Sequence, residues 1–225
     1  MAPGRALVRL TARRNLENSL RRAGHQSVAG VDEVGRGCLA GPVTAAAVVL
    51  DPARPITGLR DSKLLTPDAR SRLYECILRH AVAWSVVSRS VEEIDLLNIH
   101  KASLAAMREA VMKLVPAADY VLADGFAIPE LPVPHQGLVK GDRRCACIAA
   151  ASIVAKVTRD RLMLAMDLED PRYGYARHKG YATAEHLEAI RRHGKSEAHR
   201  RSFRPTTLLD LLIDDDDPVA DDHPR

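Results

Sequence analysis

Val28-Ala-Gly-Val-Asp-Glu-Val-Gly-Arg-Gly-Cys-Leu-Ala-Gly-Pro-Val-Thr-Ala-Ala-Ala-Val-Val-Leu50 decides how the chain is read. It enters as a short apolar strand, meets an Asp32-Glu33 pair, and turns through Gly35-Arg36-Gly37. It leaves as Val43–Leu50, an apolar run of strand length that stops at Asp51-Pro52 and suits a buried strand. Outward from it, Leu16 to Gly24 reads as a short helix. Thr66-Pro67-Asp68 is a helix start: Thr66 can cap, proline suits the first position, and Asp68 meets the positive dipole end. Val82–Val87 alternates as a strand, and residues 90–114 carry one helical periodicity. Tyr120–Asp124 is a short strand, Gly137–Lys140 another, and the Ala-rich run 145–168 is the strongest helix, stopped by Pro171. Thr183 opens a last helix that Gly194 closes. Early strands with interleaved helices, then helices alone, predict an α/β core with a helical C-terminal part. The expected division is a flexible basic arm at 1–15, a core at 16–170, a helical substrate-binding part at 171–213 and a disordered acidic tail at 214–225.

Composition narrows the function classes. The longest apolar run has eight residues, far below the ~20 of a spanning helix, and the N-terminus lacks the apolar core of a secretory signal. A cytoplasmic protein without a membrane partner is therefore expected. Four cysteines, at 38, 76, 145 and 147, have no metal-ligand spacing and read as small buried residues in a reducing compartment. The chain carries 33 Lys+Arg against 29 Asp+Glu; with six acids and one base confined to 214–225, residues 1–213 hold a net +9. A basic body of that size suits a polyanion.

Within this basic body, four acids stand in apolar settings. Asp32 and Glu33 follow Val28–Val31, Asp124 follows Val121-Leu-Ala, and Asp142 follows Leu138-Val-Lys-Gly. Each ends a short apolar stretch, where α/β folds assemble their sites. Any one acid alone could be a helix or turn cap. Four together repel unless a positive ion sits among them, and a hard divalent cation is the usual complement. Because neighbouring strand residues face opposite ways, the strand is expected to end or bulge at Asp32-Glu33. The Gly35-Arg36-Gly37 turn could be a mere reversal, but glycines also admit a ligand close to the backbone.

These residues resemble the signature of the ribonuclease HII family. Ala29–Pro42 matches its first block, and the rest follows in the family's order: Asp61-Ser-Lys63, Asp124-Gly125, Lys140-Gly-Asp142, Ala149 to Asp160, Gly180-Tyr181 and His199-Arg-Arg-Ser-Phe203. Cys38, often proline in the family, and the lead Gly194–Ala198 depart from it. The resemblance implies an RNase H-like core with a five-stranded mixed sheet flanked by helices. It assigns Asp32, Glu33, Asp124 and Asp142 as catalytic and metal-binding carboxylates, with Asp32 bridging two Mg²⁺ or Mn²⁺ ions. The implied partners are RNA-DNA hybrids and DNA duplexes with embedded ribonucleotides, cut by a monomer to leave 3′-hydroxyl and 5′-phosphate ends. Gly35, Arg36, Gly37 and Tyr181 would read the ribose. Lys63, Lys156, His178, Lys179, Arg200 and Arg201, with Arg191 and Arg192, are the candidates to hold the duplex. Lys156, in mid-helix, could instead serve Asp142 or another carboxylate as a structural counter-charge. The alternative reading is a hybrid-binding protein without catalysis, which has no use for four acids in its groove.

Overall fold

The computed structural model describes residues 12–203, so most of the expected arm and all of the acidic tail lie outside the described residues. Residues 12–15 belong to the body: Ala12 donates its N–H to the Leu59 carbonyl, and helix α1 begins at Asn15 and ends at Arg22. Strand β1 (Val28–Val34) lies at the centre of a five-stranded sheet with β2 (Val43–Leu50), β3 (Ala81–Arg89), β4 (Tyr120–Asp124) and β5 (His135–Leu138). The order is β3-β2-β1-β4-β5; β2 runs antiparallel to its neighbours β1 and β3, while β4 and β5 run parallel to β1. The sheet is therefore mixed, as expected.

Val43–Leu50 is buried throughout, yet its residues still alternate. Ala46, Val48 and Leu50 join the core layer on one face, and Ala45, Ala47 and Val49 the layer on the other. The long helix α6 (Ala146–Glu169) covers the first face; α2 (Pro67–His80) packs beside it and is capped by Thr66, whose Oγ1 accepts the Ala69 N–H. Close approach of α6 depends on small residues: a Cβ added to Gly30 would stand 2.2 Å from the Cys147 carbonyl carbon. The second face is covered by α4 (Ile99–Met112). Among the described residues no helix is long and apolar enough to cross a membrane. Cys38, Cys145 and Cys147 are buried, Cys76 is partly exposed, and all four are free.

Three local expectations need correction. The helical stretch 90–114 is two helices, α3 (Val91–Leu97) and α4. Asn98 separates them with φ 66° and ψ 160°, a backbone that side chains rarely adopt and that breaks the helix, and its side chain accepts the Lys101 N–H to cap the second. The strand expected at 137–140 lies at His135–Leu138, because Lys140 adopts a left-handed conformation and opens the short helix α5 (Gly141–Arg144). Finally, β1 neither stops nor bulges at the acid pair. It continues to Val34 in regular register with β2, Asp32 opposite Ala46 and Glu33 opposite Ala45.

After α6, the chain forms α7 (Tyr175–His178) and α8 (Ala184–His193), which pack on Leu39, Ala40 and Met163 through Tyr173, Tyr175, Leu187 and Ile190. Antiparallel bridges tie Cys38 to Tyr181 and Ala40 to His199. The C-terminal part thus sits against the loop that follows the acid pair.

Candidate active site

Sheet topology explains how adjacent residues on opposite faces of β1 reach one place. Pairing of β1 with β4 ends at Val31–Ala123, whereas pairing with β2 runs on to Val34–Thr44. Beyond Val31 the strand has a neighbour on one side only. Asp32 emerges toward α6 and Glu33 toward the opposite face, and both border the opening left by β4. Asp124 ends β4, its Oδ1 accepting the Gly141 N–H at 2.6 Å. That bond draws α5, and with it Asp142, to the same end of the sheet.

Asp32, Glu33, Asp124 and Asp142 thereby line one cavity of about 640 Å³, with Gly35, Arg36, Gly37, Ser62, Lys63, Ser152, Lys156 and Tyr181. Asp32 is buried, and its carboxyl is pushed well above the usual range by desolvation, then by the charges of Glu33 and Asp124. Burial also raises Glu33 against the pull of Arg36, whose Nη1 lies 3.1 Å from Glu33 Oε1. Asp142 is raised by burial, then by Asp61 and Asp124. Among the described residues, Asp32, Asp124 and Asp142 make no ion pair with a basic side chain, and no three acid, His or Cys side chains stand close enough together to hold a metal ion as they are placed. Carboxylates that raise one another's proton affinity, with one guanidinium among them, form a donor set that a hard divalent cation fits. Mg²⁺ in particular retains waters and needs few protein ligands, so an open cluster suffices.

The basic candidates divide by position. Lys63 lines the cavity. Lys156 does as well, but its Nζ bonds Asp160 Oδ1 at 2.6 Å and stands 5.9 Å from the Tyr181 ring, so its counter-ion is Asp160 and none of the four acids. Tyr181 is 37% exposed and faces the cavity. Lys179 is partly buried, with its Nζ directed at the Ala176 carbonyl. Arg191 and Arg192 both bond Glu188 on the outer side of α8, and Arg201 is exposed beside Asp95. Two candidates are corrected. His178 is buried, donating Nε2–H to the Tyr173 carbonyl and accepting the Gly180 N–H at Nδ1. Arg200 is 1% exposed with its guanidinium spent on main-chain carbonyls. Neither is placed to touch a duplex; both are bonded to backbone.

Sequence reasoning passed over Ser152, which lines the cavity and whose hydroxyl donates to Ser62 Oγ at 3.0 Å. A lone hydroxyl within Ala149–Ala155 was the available signal. It also passed over Asp61, buried and held by Arg143 Nε and Nη2 at 3.2 and 3.1 Å, and over Arg159. The atypical lead 194–198 is well tied in: the Tyr173 hydroxyl donates to the Gly194 carbonyl, and the Ser196 N–H to His199 Nδ1.

Comparison with known proteins agrees with this geometry. A family model described as Ribonuclease HII matches residues 29–206, which include all four acids and Tyr181. A curated Ribonuclease HII from Salinispora tropica is 51% identical over 190 residues, or 84% of this chain and 70% of that protein. The crystal structure of ribonuclease H2 from Pyrococcus horikoshii aligns with a TM-score of 0.67 at 25% identity, over 79% of this chain and 94% of that one. The RNase HII of Archaeoglobus fulgidus, solved in a complex with PCNA, aligns with a TM-score of 0.69 at 26% identity, over 82% and 100%. The chain belongs to the ribonuclease HII family, and is accordingly a ribonuclease H enzyme on an RNase H-like fold.

Proposed function

We propose that this enzyme hydrolyses the RNA strand of RNA-DNA hybrids and nicks 5′ of ribonucleotides embedded in duplex DNA, leaving 3′-hydroxyl and 5′-phosphate ends. One observation carries the reading: four carboxylates from three separate stretches share a cavity with the Gly35-Arg36-Gly37 turn and Tyr181. Asp32, Glu33, Asp124 and Asp142 are the residues to hold two Mg²⁺ or Mn²⁺ ions. Bound there, such ions supply charge neutralisation at the phosphodiester and lower the pKa of water at neutral pH. Asp32, central and least accessible, is the natural shared ligand. The Glu33 N–H fixes its carboxyl at 2.8 Å, and the Gly141 N–H fixes that of Asp124.

The remaining lining residues act on the duplex. The turn brings main-chain N–H groups to the cavity, where they can meet a phosphate or a 2′-oxygen, the group that separates RNA from DNA. Tyr181 faces the turn and offers a ring and a hydroxyl to the same sugar. Lys63, with Lys179 and Arg201 further out, supplies charge without reading sequence. The test is a labelled DNA duplex with one ribonucleotide, cut under Mg²⁺ titration by the parent and by Asp32→Asn. The parent should nick on the 5′ side of the ribonucleotide, and Asp32→Asn should bind the duplex without cutting. Cleavage by the variant within tenfold of the parent rate would remove Asp32 from the chemistry.

A further inference from the structure

Arg159 and Arg200 are the bulkiest side chains fully withdrawn from solvent, at 0% and 1% exposure. A buried guanidinium costs several kcal/mol unless its five N–H groups find acceptors. Here every acceptor is a main-chain carbonyl. Arg200 donates Nη1 to the Arg36 carbonyl at 2.9 Å, Nη2 to those of Gly35 and Gly41 at 2.6 and 2.9 Å, and Nε to Gly41 at 3.1 Å. Arg159 donates Nε to the Pro42 carbonyl at 2.8 Å, Nη2 to Ala40 at 3.2 Å and Nη1 to Lys179 at 2.9 Å. These carbonyls belong to only two stretches, the loop 35–42 and the residue two before Tyr181.

The planarity of the peptide gives this arrangement a direction. In a trans peptide the C=O of one residue and the N–H of the next point opposite ways. With the Gly35 and Arg36 carbonyls turned to Arg200, the N–H groups of Arg36 and Gly37 are turned away from it, and Gly35, Arg36 and Gly37 all line the cavity. A cation bonded to the carbonyl also polarises the peptide and strengthens its N–H as a donor to an anion. We propose that Arg159 and Arg200 are positioning residues for ribonucleotide recognition, which hold the loop 35–42 and the turn before Tyr181 from behind and aim the loop's N–H groups into the cavity. This rests on the proposed role of the turn and Tyr181 in reading the ribose.

The test is Arg200→Ala and Arg200→Lys, assayed on a duplex with a single ribonucleotide. Arg200→Ala should raise KM about tenfold or more and lower kcat/KM further, with the Mg²⁺ concentration for half-maximal rate unchanged. Methylguanidinium should restore part of the activity and methylammonium none, and Arg200→Lys should stay impaired, because one ammonium cannot span these carbonyls. Parent kcat/KM in Arg200→Ala, or equal rescue by both additives, would overturn the proposal. Should Arg200→Ala fail to fold, nitrogen-15 spectra of the unaltered protein decide. The Nε–H groups of Arg159 and Arg200 should be slow to exchange and their Cζ–Nη rotation hindered; fast exchange at both would overturn the clamp. If the parent itself leaves an embedded ribonucleotide uncut, the proposed function fails, while these spectra still judge the arginines.

Discussion

Gly35 and Gly37 flank one arginine, yet the structure assigns them opposite sensitivities. Gly35 has φ +94°, where an L side chain costs ~1–2 kcal/mol. A Cβ there would lie 2.2 Å from Arg159 Nε and 2.8 Å from its Cδ, so the guanidinium must move off carbonyls that it alone satisfies. Each buried carbonyl left bare costs a further ~1–3 kcal/mol. Gly35→Ala should therefore lose about 3–6 kcal/mol of stability, a large share of what a domain has. At Gly37 a Cβ meets no atom within 4 Å and no positive φ forbids it. Gly37→Ala should stay within ~0.5 kcal/mol of the parent, a shift of about 2 °C at most for this size. The added methyl nonetheless lies on the cavity wall, in the space proposed for the ribose. Urea melts with nicking assays at one embedded ribonucleotide separate the two. Gly37→Ala should fold as the parent does and cleave at least tenfold more slowly. Parent-like cleavage would refute a substrate contact at the turn, and unfolding of Gly37→Ala would refute the local geometry itself.

Further outcomes follow from charge. Without metal, Asp32→Asn should be more stable than the parent above about pH 4: the folded Asp32 is raised above its unfolded value, so the parent loses stability as pH rises and the variant does not. Calorimetry in chelator across pH 4–8 checks this, and a gap that narrows with rising pH would count against it. Protons compete with cations at the raised Asp32, Glu33 and Asp142, so the Mg²⁺ needed for half-maximal cleavage should climb as pH falls, to be read from titrations at several pH values. His186 and His199, whose Nε2 atoms lie 3.1 Å apart, are lowered by burial to about 4. The unfolded chain binds their protons first, so through each histidine the fold loses stability as pH drops from about 6.5 towards 4, by up to ~3 kcal/mol. Urea midpoints of the parent and His199→Gln should converge over that range. Hybrid binding should weaken linearly in log–log salt plots, and Lys63→Ala should reduce the slope by about one.

Much of this was legible locally. Val43–Leu50 declared a buried strand through its length and flanks, Thr66-Pro67-Asp68 declared a helix start, and the four acids stood out because carboxylates rarely end apolar strands without a purpose. The failures concern distance. Whether Asp32-Glu33 interrupts β1 depends on which neighbour stops pairing first, and that neighbour, β4, lies ninety residues on in the sequence. Arg200 looked like a surface cation because its acceptors are carbonyls 159 to 165 residues away. Lys156–Asp160 is the contrary case: an i, i+4 pair that helical spacing alone could have supplied.

The bond from Arg200 to Gly35 also orders events in time. A polypeptide leaves the ribosome from its N-terminus, so every acid of the cluster is made before the guanidinium that shapes the neighbouring loop. An unfinished nascent chain would own all four carboxylates yet lack the proposed backing of the loop beside them. The loop 35–42 gains its last tie only when Arg200 has been made and has folded back onto it.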